Sequence, residues 1–193
     1  MNRTRIKQTF AEYTSKYNAS DPKIKLKIDH TYRVAALAER IAKTVTDVSI
    51  DTDLAWAMGM LHDIGRFEQV KRYGTFVDSE SVDHAALGIS ILFDEGLLDS
   101  FGDFSEKERE LIRISIANHN KFRIPEGMDD LTTACCNILR DADKIDILRV
   151  NCDTPLEDIY NVTTEELKKA AVSEEVKKGF VERHTVLRSL KHP

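Results

Sequence analysis

Apolar residues recur at the helical period along almost all of this 193-residue chain, and no convincing run alternates at period two. Only 8 glycines and 4 prolines are present, so few positions interrupt helices. With 41% apolar residues the chain can bury a real core. The fold class expected is all-α, a single-domain helical bundle.

The first helix is predicted over 2–17. The second runs from about Lys23 to Thr46, with Leu26, His30, Val34, Leu37, Ile41 and Val45 on one stripe. A third follows the N-cap Asp51 and buries Leu54, Met58, Leu61 and His62. Residues 65–81, with Gly65 and Gly74 among polar positions, read as a long irregular loop. Helix four starts near Val82 and carries His84, Leu87, Gly88 and Ile91. The next starts at Ser105, spaced from Glu108 as in a capping box, and aligns Leu111, Ile112, Ser115, Ile116 and His119. Ile124-Pro125-Glu126-Gly127 breaks the pattern before a long helix from about Asp130 to Val150, which aligns Cys136, Leu139, Asp143 and Ile147. Two further helices are expected from Thr164 and Ser173. The organisation predicted is an N-terminal helix (1–22), a helical core (23–150) and C-terminal helices packed on that core (151–193).

Charge and cysteine usage exclude several classes. The longest apolar run, Leu54 to Leu61, is far too short to span a membrane, and residues 1–20 lack the apolar stretch of a signal peptide. Three cysteines, two of them adjacent, fit neither a disulfide framework nor a thiolate zinc site, so a reduced, cytoplasmic protein is expected. Residues 1–27 carry seven basic groups against Glu12 and Asp21, while the whole chain is at −5. The basic run is read as the solvated face of a helix. The acidic remainder argues against a nucleic-acid partner. The first helix also offers a face to a second copy, so a homo-oligomer is compatible with the pattern.

Five predicted helices each carry metal-ligand residue types on the stripe expected to face the core: His30, His62 with Asp63, His84, His119 and Asp143. Imidazole and carboxylate together bind divalent transition metals. A lone buried carboxylate such as Asp143 costs several kcal/mol or takes up a proton, so it needs a partner. One ion would satisfy these groups together. His62 and Asp63, roughly 100° apart on a helix, can approach one ion or a pair from different directions. Stripe position alone does not discriminate, because His184 passes the same test beside Phe180 and Leu187 and is expected to be structural. His192 is expected in solvent.

The ordered set His30, His62-Asp63, Asp143 resembles the signature of the HD-domain metal-dependent phosphohydrolase superfamily. Met60-Leu61-His62-Asp63-Ile64-Gly65-Arg66 is similar to that family's Leu-His-Asp-Ile-Gly-Lys segment, with arginine where lysine is common. Asp141-Ala142-Asp143-Lys144-Ile145-Asp146 resembles the segment carrying its last aspartate ligand. The resemblance covers about 24–150 and implies a bundle of the HD-domain type. It also implies His30, His62, Asp63 and Asp143 around one divalent ion, with Asp63 bridging to a second held by His84 and His119. A histidine-rich donor set favours Fe, Mn, Co, Ni or Zn over Mg.

The chemistry so implied is hydrolysis of a phosphoester in a nucleotide or related small phosphorylated substrate, by a water that the ion activates. Asp63 and Arg66 are the catalytic candidates. Arg66 is placed either to clamp a phosphate oxygen or to pair with Glu68 at the surface. Lys121 and then Arg123 are further substrate-binding candidates, and Lys144 is expected to be a structural or rim residue. The family's alarmone hydrolases carry Glu-Asp where Arg66-Phe67 stand, and its cyclic-dinucleotide branch carries a Gly-Tyr-Pro segment that is absent here. No serine-nucleophile elbow or Walker phosphate loop is present. The alternative is a sensor module that keeps the metal and binds a nucleotide without turning it over.

Overall fold

The computed structural model describes residues 1–155 and 163–184 with positions 157, 159 and 186. The chain divides into two compact units, Met1–Tyr160 and Asn161–Pro193. The described residues form helices and no strand, as the periodicity predicts. The first unit contains α1 (Arg3–Thr14), α2 (Pro22–Ala42), α3 (Thr52–Leu61), α4 (Ile64–Tyr73), α5 (His84–Ile89), α6 (Leu98–Phe101), α7 (Glu106–Asn118) and α8 (Asp130–Asp153). The second contains α9 (Thr164–Lys169) and α10 (Glu174–Val181). No helix among the described residues is long and apolar enough to cross a membrane.

Side-chain caps set most helix starts. Asn2, Asp21, Asp51, Asp83, Ser105 and Asp129 each accept a bond from a first-turn backbone N–H. Ser105 and Glu108 form the expected capping box, and Pro22 opens α2, where its lack of an N–H costs nothing.

In the first unit α2 lies most extensively against α3 and also packs on α8, while α7 packs on α5 and α8. Ala35, Ala38 and Ala42 give α2 a buried stripe of small side chains. Gly59 of α3 sits on that stripe, where a Cβ would lie only 2.5 Å from Ala35 Cα. The α1 face carrying Ile6, Phe10 and Tyr13 is buried in the core.

The loop expected over 65–81 is corrected. Residues 64–73 form α4, and the irregular segment is shorter, broken by a helical turn at Asp78–Glu80. Gly65 is no turn residue: a Cβ there would stand 2.2 Å from His84 O and 2.6 Å from Gly88 N, because α4 and α5 cross almost backbone to backbone. Gly74, at φ 67°, is the left-handed C-cap that ends α4. On α8 the inward position is Asp146 rather than Ile147, which is 40% exposed. The short α6 and the wide turn over Ser90–Asp94 after α5 have no counterpart in the expectation.

In the second unit, Thr163 and Glu166 form a capping box for α9 and Ser173 caps α10. His184 is exposed. His192 lies outside the described residues.

Candidate metal centre

The joint between α3 and α4 shapes the site. The first helix ends with His62 as its C-cap, and Asp63, at φ −107° and ψ 18°, stands between the two helices in the bridge region. This break aims two consecutive side chains into one interior. His84 is the first residue of α5 and His119 caps the end of α7. His30 and Asp143 come from within α2 and α8.

All six predicted ligands meet. Two buried groups result, His30 with His62 and Asp143, and Asp63 with His84 and His119, each with its ligand atoms within 4.8 Å of one another. Asp63 links them. Its Oδ2 lies 3.6 and 3.4 Å from the Nε2 atoms of His30 and His62. Its Oδ1 lies 3.5 and 3.8 Å from those of His84 and His119.

A family model described as HD domain matches residues 28–148. The chain belongs to the HD domain family. No curated protein and no solved structure matches it. The superfamily comprises metal-dependent phosphohydrolases, and HD domains bind divalent metals.

Hydrogen bonding within this HD domain tests whether its residues fit an ion. All four imidazoles direct Nδ1 to an acceptor: His30 to Asp146 Oδ2 at 2.6 Å, His62 to Gly59 O at 2.8 Å, His84 to Asp78 Oδ2 at 2.7 Å and His119 to Ile116 O at 2.7 Å. A neutral ring that donates through Nδ1 presents a bare lone pair at Nε2. The centre is therefore lined by acceptors facing acceptors. The Nε2 atoms of His84 and His119 are 2.9 Å apart, and His62 Nε2 is buried with no hydrogen-bond partner. Lone pairs held this close need a cation among them, and four imidazoles with two carboxylates fit a divalent transition metal.

Without an ion, a proton on His62 meets the same demand for positive charge. Burial opposes charge on His62, but the Asp63 and Asp143 carboxylates outweigh it and push the ring up to about 10. Burial also works against charge on those carboxylates. Lys27 and His62 nevertheless hold Asp63 well below the usual range, and His30 and His62 do so for Asp143. At His84 burial wins over the bond to Asp78 and pushes the ring down to about 4.

Three supporting residues were not expected from sequence. Asp146 is 1% exposed and holds Arg33 Nε at 2.8 Å and Arg149 Nε at 2.9 Å besides His30. Asp78 backs His84 and receives Arg66 Nη1 at 2.7 Å and Gln69 Nε2 at 2.9 Å. Lys27 Nζ lies 2.7 Å from Asp63 Oδ2. The available signal was spacing: Asp146 follows Asp143 by one turn, and Lys27 precedes His30 by one turn. Lys27 therefore does not belong to the solvated face assigned to the basic run.

The other candidates are placed as follows. Arg66 does not pair with Glu68, which binds Tyr17 and Arg72 instead. Its Nη1 bonds Phe76 O as well as Asp78, while Nε is buried without a hydrogen-bond partner, 3.7 Å from Asp63 Oδ1. Lys121 pairs with Asp83, the cap of α5, outside both ligand groups. Arg123 lines a groove with Thr133, Asn137 and Arg140 that shares no lining residue with the centre. Lys144 Nζ lies 3.5 Å from His119 O.

Proposed function

We propose that this chain is a metal-dependent phosphohydrolase that cleaves a phosphoester bond in a nucleotide or related small phosphoester. The observation that carries the proposal is the division of Asp63, whose two oxygens each face a pair of imidazole Nε2 atoms. Bound there, divalent ions supply Lewis acidity that lowers the pKa of water and offsets charge on phosphoryl oxygens. The donor set favours Fe, Mn, Co, Ni or Zn, one ion or two.

The chain's own residues provide the rest. Asp63 keeps the two groups in register. Asp146 and Asp78 fix the rings of His30 and His84, so that their Nε2 atoms are preset toward the interior. Arg66 is anchored through Nη1, and its Nε, without a hydrogen-bond partner and 3.7 Å from Asp63 Oδ1, is the donor assigned to a phosphoryl oxygen. Lys121, half exposed and paired with Asp83, is the weaker substrate contact. The candidate ligand side chains other than Asp143 are 3% exposed or less, so the centre is largely screened from bulk water.

The test is direct. Purified protein should contain transition metal in stoichiometric amount and hydrolyse members of a nucleotide and phosphoester panel supplemented with Mn. Asp63→Ala should lose both metal and hydrolysis. Undiminished hydrolysis by metal-free protein would falsify the mechanism, and stable metal binding with no turnover across the panel would identify a sensor instead.

A further inference from the structure

We infer that Lys27 is a substrate-binding residue of this centre, gripping the phosphoryl group once ions occupy Asp63. The inference rests on the phosphohydrolase proposal and adds a residue to it. Lys27 lies on α2 one turn before His30, with its side chain 13% exposed and Nζ 2.7 Å from Asp63 Oδ2. Asp63 is its one carboxylate within ion-pair distance among the described residues.

The same oxygen also faces His30 and His62 Nε2 at 3.6 and 3.4 Å, so an ion on those rings competes with Lys27 for it. An ammonium has three donors and no lone pair, so it cannot join the ion as a ligand and is repelled by it. Displaced from Asp63 yet largely withdrawn from water, it needs another anion.

The two cations beside Asp63 supply the place. Lys27 and Arg66 are 13 and 15% exposed, and Asp143 is 10% exposed. Both cations lie over the Phe76 ring, Lys27 Nζ at 5.2 Å and Arg66 Cζ at 5.8 Å from its centroid. Arg66 is tethered by three bonds from Nη1 to Gln69, Phe76 and Asp78. Lys27, on a flexible four-carbon stem, is the cation free to turn. A phosphate bound beside Phe76 and Asp63 is within reach of both Lys27 Nζ and the Arg66 guanidinium.

The experiment titrates metal-loaded full-length protein with inorganic phosphate by calorimetry, alongside elemental analysis of metal content. Lys27→Met should hold metal at the wild-type level or above and bind phosphate roughly ten- to a hundredfold more weakly, the range of a lost charge-assisted bond. Lys27→Arg should stay within about threefold of wild type, because it restores the charge-assisted donor. If Lys27→Met folds poorly, Lys27→Gln is measured in the same way. Equal phosphate binding by wild type and Lys27→Met at equal metal content overturns the inference. Loss of metal from the variant also overturns it, since Lys27 would then act only through Asp63. Wild-type protein that holds metal but binds no phosphate overturns the phosphohydrolase proposal as well.

Discussion

A histidine ligates well only when its other nitrogen is held, and two rings here are held by carboxylates. His30 leans on Asp146 and His84 on Asp78, whereas His62 and His119 use carbonyls of their own helices. Each ligand group therefore contains one ring backed by an aspartate, which raises its basicity toward a metal. Asp146→Asn should lower metal affinity by about ten- to a hundredfold in a chelator competition while leaving the far-ultraviolet circular dichroism unchanged. Affinity equal to wild type would mean that Asp146 serves only Arg33 and Arg149. At this scale the six candidate ligands were legible because polar residues on apolar stripes coincide with the motif order of the HD domain. Lys27 and Asp78 were not, because their role lies in which partner they meet 36 and six residues away.

Helix ends and crossings carry the next level. Gly65 permits the α4–α5 crossing that sets His84 opposite Asp63, and backbone atoms, which cannot step aside, surround its missing Cβ. Gly65→Ala should cost about 1–3 kcal/mol in denaturant unfolding and weaken metal retention at the same time. A stable variant with full metal content would refute the close crossing. Arg3 links α1 to Glu39 on α2 and Asp53 on α3, and stacks on Trp56 at 4.9 Å. Hydrogen bonds from Arg3 and Lys43 hold Glu39 down to about 2. Its contribution is therefore fully present above about pH 4.5 and fades as pH falls toward 2. Glu39→Gln should cost up to about 1 kcal/mol at neutral pH, with the gap to wild type closing across that acid window. Helix starts were readable from their caps, which act within three or four residues. The helix over 64–73 was misread because a glycine required by a distant backbone looks, in one dimension, like a glycine required by a turn.

For the first unit as a whole, the candidate centre gathers residues from α2, α5, α7, α8 and the α3–α4 joint, so a bound ion would cross-link them. An ion held at about a hundred times its Kd stabilises the folded state by about 2.7 kcal/mol, so chelation should lower Tm by roughly 5–10 °C. No shift on chelation in calorimetry would show that the acceptors are satisfied without metal. The sequence by itself determined the all-α class, most helix starts and the six candidate ligand residues, because periodicity, capping and short motifs are all local signals. Only the tertiary structure decided that Asp63 divides its oxygens between two groups, that Asp146 and Asp78 set the rings, and that Lys27 enters the centre. These facts depend on distances between helices, which are set by small-residue crossings such as Gly59 on Ala35 and Gly65 on Gly88 and by no pattern along the chain.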